Sequence, residues 1–244
     1  MGVTHHGRTA RLDLADPTLR EWTCAVLAAS ADEGIVLDKS AFYPGGGGQP
    51  PDHGVLLWQG VQTRIVGTRK GDDLFLIPAE GDPLPPVGTE VTGAIEDARR
   101  SLLMRTHSGL HVLGGVVFRD FGALVTGGNM EPGEARMDFN LPEVPGDFKA
   151  RLEELVNAEV IADRRVDVRV LPRDEALALP DIIRTQSNLI PADEQEIRIV
   201  DIVGLDQQAD GGTHVATTSQ IGKIQVVKVE SKGKANRRVR VRLV

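Results

Sequence analysis

A chain of 244 residues, 41% hydrophobic and 26% charged, has apolar material for one large core or two small ones and the balance of a globular protein. A formal net charge of -7 excludes a general nucleic-acid-coating protein, and no apolar run approaches the ~20 residues of a membrane span. Cys24 is the only cysteine, which excludes an internal disulfide and a thiolate zinc cluster; residues 1–11 are polar where a signal peptide is apolar, so a cytoplasmic protein is expected.

Turn signals and short apolar runs dominate residues 1–92, which suits a small β-barrel or sandwich. Ile35-Val36-Leu37 and residues 55–58, 62–66 and 74–77 read as strands, while residues 22–29 fit helix or strand equally by pattern. Residues 78–88 hold four prolines and two glycines and read as a linker or long turn, followed by a strand over 89–94. A helix is predicted from Glu96 to Phe118, with acids in its first turn favouring its N-terminus. Gly109, Gly114 and Gly115 each weaken that helix relative to alanine, so another backbone or a ligand is expected close by. Residues 147–163 give a second amphipathic helix, 166–171 a strand, and 172–179 a short helix opening on Pro172. A strand over 197–203 leads straight into a Gly-Gly turn. Residues 221–230 and 237–244 then alternate as the arms of a hairpin. The expected fold is α+β, with a barrel domain over 1–92 and a second domain over 93–244.

Two stretches carry the chemistry. His107-Ser108-Gly109-Leu110-His111 places two imidazoles at i and i+4, on one helix face a turn apart. Asp210-Gly211-Gly212-Thr213-His214 lies in a mobile turn that can fold Asp210 and His214 to one point. Together they offer three imidazoles and a carboxylate, a workable ligand set for one Zn²⁺. The set requires Asp210 within ~7 Å of His107 and His111, the limit of side-chain reach. Two histidines four apart also occur on ordinary amphipathic helices. A metalloprotease helix needs glutamate after its first histidine, and Ser108 stands there instead. The run Gly45-Gly46-Gly47-Gly48-Gln49 lacks the Gly-Lys-Ser/Thr ending of a Walker loop, and no Gly-x-Gly-x-x-Gly opens a βαβ unit, so no nucleotide cofactor is expected. The bland reading of the run is a tight turn at positive φ.

Three motifs resemble those of the alanyl-tRNA editing proteins (AlaX type), relatives of the editing domain of alanyl-tRNA synthetase. Residues 105–111, Arg-Thr-His-Ser-Gly-Leu-His, are similar to the first motif; residues 206–215, with Thr218 and Ile221-Gly222, resemble the second. Phe42-Tyr43-Pro44 and the glycines after it resemble the glycine-rich motif of the longer forms, which carry an N-terminal barrel. The resemblance implies a barrel followed by an α/β sandwich editing domain. It also implies hydrolysis of the ester joining serine, or glycine, to alanine tRNA. Small pockets exclude such amino acids poorly, so a second hydrolytic sieve is needed. One zinc per chain would sit on His107, His111, Asp210 and His214, the candidate catalytic residues. The family usually has cysteine where Asp210 stands; oxygen is harder than thiolate, so other divalent metals become acceptable. Gly45, Gly46, Gly47, Gly48 and Gln49 would position substrate. Thr126 matches a threonine that looks discriminating in shorter members, its alternative reading being a β-branched strand residue.

Residues 223–244 hold eight basic side chains against Glu230 alone. Lys228, Lys232, Lys234, Arg237 and Arg238 are therefore candidates for the tRNA backbone, with a solvated hairpin as the plain alternative. Two other functional classes stay open: a metal-dependent hydrolase of another small ester, and a non-catalytic tRNA-binding module with a structural zinc. The sequence sets no oligomeric state.

Overall fold

Short β-branched and apolar runs punctuated by Gly and Pro make strands the larger part of the regular structure among the described residues. In the computed structural model, residues 4–186, 190, 192 and 194–244 are described. They divide into two compact units, one of residues up to 46 plus 50–101, the other of 47–49 plus 102–244.

The first unit opens with β1 (His5–His6), β2 (Thr9–Arg11) and the single turn α1 (Leu12–Ala15). It continues through β3 (Glu21–Ser30), β4 (Gly34–Leu37), β5 (Lys39–Ser40), β6 (Gly54–Trp58), β7 (Val61–Lys70), β8 (Leu74–Pro78) and β9 (Glu90–Ile95). Six of these close a barrel in the order β3-β4-β8-β7-β6-β9; β1, β2 and β5 form a small separate sheet. The ambiguous residues 22–29 are strand. Trp22, Cys24 and Val26 alternate inward, and pairing with β9 settles what local pattern left even. Trp22 pairs with Gly93, where a Cβ would come within 2.4 Å of the indole. Beside the apolar core lies a fully buried ion pair, Arg100 with Asp52, the guanidinium also reaching Ala41 O at 2.7 Å and Pro17 O at 2.8 Å. Burial pushes the neighbouring Asp13 carboxyl up, opposed by its hydrogen bonds from Arg11.

Helix α2 (Asp97–Phe121) begins in the first unit and continues in the second. Every residue from Thr106 to Val117 is buried, so the helix has no solvent-exposed face along that stretch. After it come β10 (Val125–Glu131), β11 (Glu134–Phe139), α3 (Phe148–Ile161), β12 (Val166–Pro172), α4 (Arg173–Leu177), β13 (Glu196–Ile202), β14 (Asp206–Ala209), a 3₁₀ turn at Thr218–Ile221, β15 (Ile224–Ser231) and β16 (Arg237–Leu243). The strands form two antiparallel sheets, β10-β11-β16-β15 and β12-β13-β14. Leu113 and Val117 of α2, Leu152 and Val156 of α3, and Val226 and Val239 of the four-stranded sheet belong to one core. Asn157 on α3 caps the edge of β15, bonding both the N–H and the carbonyl of Ile224.

Three expectations change. The strand after residue 196 does not run straight into the Gly-Gly turn; it folds back as the β13–β14 hairpin first. The β10–β11 hairpin went unpredicted because Gly127, Gly128 and Asn129 interrupt any alternation. Of the three helix glycines, only Gly115 is closely approached: a Cβ there would lie 2.9 Å from Asp206 Cβ and 3.3 Å from Leu205 O. Around Gly109 and Gly114 the contacts are of ordinary length. Among the described residues, no helix is long and apolar enough to cross a membrane.

Candidate metal centre

Two elements supply the site. The buried middle of α2 carries His107 and His111; the loop after β14 carries Asp210 and His214. One ligand atom from each of the four lies within 4.8 Å of every other. Asp210 Oδ1 is 3.4 Å from His107 Nε2 and 3.9 Å from His111 Nε2, and Oδ2 is 2.9 Å from His214 Nε2. The three imidazole rings crowd together with centroids 4.4 to 5.2 Å apart. Imidazole, imidazole, imidazole and carboxylate at this spacing fit the donor set of a zinc ion, whose bonds are ~2.0–2.2 Å.

The other nitrogen of each ring is taken. His107 Nδ1 meets Gln49 Oε1 at 2.9 Å, His111 Nδ1 meets Asp206 Oδ2 at 3.1 Å, and His214 Nδ1 meets Ser108 Oγ at 3.2 Å. Gln49 Oε1 and Asp206 Oδ2 accept, which puts a proton on Nδ1 of His107 and His111, while the Ser108 hydroxyl serves either tautomer of His214; all three Nε2 atoms turn towards one point. The three oxygens are themselves fixed. Gln49 accepts from the Thr213 N–H at 3.1 Å and donates to its hydroxyl at 2.9 Å. Ser108 accepts the Val215 N–H at 3.1 Å, and Asp206 accepts from Gln208 at 2.6 Å. Sequence reading used Ser108 only to exclude a protease and missed Asp206. The signal for Asp206 was its place four residues before Asp210, within the second motif.

Electrostatics follow from this crowding. Burial opposes charge on Asp210, but His107 and hydrogen bonds from all three histidines hold it well below the usual carboxylate range. Burial, reinforced by His107, pushes His214 well below an ordinary histidine. Burial alone would do the same to His111; Asp206 and Asp210 on its two sides instead hold it at about 10. A metal entering at neutral pH must therefore displace a proton from His111.

Gly212 has no room for a side chain. A Cβ there would stand 2.2 Å from His107 Cε1 and 2.8 Å from Gln49 Oε1. Gly212→Ala should break the Gln49–His107 bond and weaken the affinity of this cluster for a divalent metal ~10–100-fold, the usual effect of losing an outer partner. Competition against a chelator measures it. Unchanged affinity would mean that the loop relaxes freely and that Gln49 holds nothing that matters.

The remaining candidates are spread more widely. Gly45, Gly46, Gly47 and Gly48 all have positive φ, from 59° to 129°, so the whole run needs glycine. The Tyr43 hydroxyl donates to Gly46 O at 3.0 Å. A Cβ on Gly47 would lie 3.7 Å from Asp210 Oδ1, and Gly48 O accepts from the Met130 N–H. Thr126, on β10, donates to Asn236 Oδ1 at 3.0 Å. In the basic hairpin, Lys228 pairs with Glu230 at 2.9 Å and Arg238 with Asp138 at 2.7 Å, while Arg237 bonds the Pro142 and Asn236 carbonyls. Lys232 and Lys234 are exposed at the hairpin tip.

Known proteins resemble this chain along most of its length. The family model for the threonyl and alanyl tRNA synthetase second additional domain matches residues 197–240, and that for class II (A) tRNA synthetases matches 20–99. An alanyl-tRNA editing protein AlaX-M of Saccharolobus solfataricus is 37% identical over 238 residues, 95% of this chain and 97% of its own. The AlaX-M protein of Methanosarcina barkeri is 31% identical over 97% of this chain and 99% of its own. An alanine–tRNA ligase of Pyrobaculum neutrophilum is 37% identical over 91% of this chain, which is 25% of the ligase.

Proposed function

The chain belongs to the AlaX-M family of alanyl-tRNA editing proteins, and from that premise we propose that it is a deacylase that clears wrongly attached serine, and glycine, from alanine tRNA. The observation that carries the reading is the convergence of His107, His111, Asp210 and His214, each histidine oriented through its second nitrogen. These four would hold one zinc ion. When bound, such an ion polarises an ester carbonyl or lowers the pKa of a water to near 7. The chain's own contribution is to keep the three rings turned inward through Gln49, Asp206 and Ser108. The reading is tested by incubating the protein with mischarged seryl-tRNA(Ala). Release of serine supports it; retention of intact seryl-tRNA supports a binding module. Comparable cleavage of small serine esters without RNA supports a general esterase.

Selection of serine is assigned to Thr126. Its hydroxyl donates to Asn236 and still has a lone pair to accept the O–H of a serine substrate. Thr126→Val keeps the shape and removes that acceptor. Seryl-tRNA deacylation should fall by about 1–3 kcal/mol of transition-state stabilisation, with glycyl-tRNA deacylation little changed. Equal losses on both substrates would reduce Thr126 to a strut between β10 and the β15–β16 connection.

The basic hairpin is assigned to the tRNA backbone. Replacing Lys232, Lys234, Arg237 and Arg238 with alanine should weaken tRNA binding and flatten its dependence on salt. The two lysines should account for most of the change, because Arg237 and Arg238 already spend donors within the protein. An unchanged salt slope would return the hairpin to a solvated surface.

A further inference from the structure

Behind His111 lies a chain of contacts that the editing reading does not require. Asp206 is buried on β14 and uses Oδ2 to hold His111 Nδ1 at 3.1 Å. Its other oxygen, Oδ1, receives the Nε–H of Arg184 at 3.3 Å. The Arg184 side chain is 11% exposed, and its guanidinium carbon sits 3.7 Å from the ring centroid of Phe118. Phe118 lies two turns beyond His111 on α2. One helix thus supplies both ends of the path: the imidazole at one end and the aromatic platform at the other. The Arg184 backbone is held too. Its carbonyl accepts the Val125 N–H, and Gln186 N–H donates to Val125 O, both at 2.8 Å. Among the described residues, the one other carboxylate paired with the guanidinium, Asp181, is exposed and 3.9 Å away.

We propose that Arg184 is a positioning residue for the metal centre, stacked on Phe118 to fix the Asp206 carboxylate that orients His111. The inference rests on the four-ligand metal reading above. A buried carboxylate bonded only by neutral donors is costly to keep ionised, and an ion pair from one side offsets that cost while choosing the rotamer. Arginine suits the task because its planar fork stacks on an aromatic face while donating in its own plane; lysine supplies the charge and donors without the plane. The effect on the metal is indirect. A free Asp206 would let the His111 ring turn about its χ angles, and Nε2 would leave the common point.

The test is zinc alone, titrated into the full chain against a competing chelator, with thermal unfolding of each metal-free variant alongside. Arg184→Met should weaken zinc affinity about tenfold, at the low end of outer-shell effects. Arg184→Lys should recover part of it. Asp206→Asn should lose at least as much as Arg184→Met, and adding Arg184→Met to it should cost nothing further, since the two act through one path. Full affinity in Arg184→Met, or simple addition in the double variant, overturns the proposal. Where Arg184→Met fails to fold, Phe118→Leu removes the platform and leaves both charges; it should weaken zinc severalfold, and unchanged affinity there also overturns the proposal. Wild-type protein that takes up no zinc overturns the metal reading itself and this inference with it. That result is distinct from a wild-type that binds and an Arg184 variant that binds as well.

Discussion

Asp210→Asn is expected to cost more zinc affinity than any outer-shell change, beyond the ~10–100-fold those produce, and to remove editing activity. Asparagine keeps the shape of the side chain and the reach of its oxygen. It removes the negative charge, the only one among the four candidate ligands, and turns one oxygen into an NH₂ that faces His214 or His107. Asp210→Cys should act in the opposite sense for zinc. A thiolate is softer, so zinc affinity should rise and discrimination against harder divalent metals should sharpen. Titrating both variants with zinc, cobalt and manganese separates the readings. An Asn variant that keeps wild-type zinc affinity and activity would mean that Asp210 is not a ligand and only bridges histidines.

The second large effect lies away from the chemistry. Arg100→Met should destabilise the first unit by about 3–5 kcal/mol, because it strands the Asp52 carboxylate without its counter-charge in a site with no access to water. The Ala41 and Pro17 carbonyls lose their donor as well. Pairing the change with Asp52→Leu should restore part of the loss, since removing both charges removes the desolvation cost of each. The recovery will be incomplete, because Asp52 also accepts the Tyr43 N–H at 2.7 Å. Urea unfolding measures both. A loss below ~1 kcal/mol for Arg100→Met would place this pair with surface salt bridges, whose median value is that small.

The site was more legible in the sequence than the fold around it, for a physical reason. His107 and His111 are related by helix geometry alone, and Asp210 and His214 by one short loop, so both pairs are local facts. Their partners are not. Gln49 reaches His107, and Asp206 reaches His111, only because the chain folds back over long separations. Arg184 sits in a stretch with no periodicity at all, so nothing local marks it. The barrel strand β3 shows the same limit from the other side. Trp22, Cys24 and Val26 suit helix or strand, and the decision belongs to β9, far along the chain. Gly115 was expected to be closely approached and is, by Asp206, whereas Gly212 read only as part of a mobile turn and lies where His107 fills the space of a side chain.

One metal on His107, His111, Asp210 and His214 is expected to serve hydrolysis of the wrong aminoacyl ester. The most direct measurement is deacylation of seryl- and alanyl-tRNA(Ala) by the same protein preparation, as isolated, after stripping with a chelator, and after zinc is added back. The expected result is rapid release of serine with alanine left in place, loss of that release on stripping, and its return with about one zinc per chain. Serine release that persists at full rate in the stripped protein, with no metal retained, would contradict it.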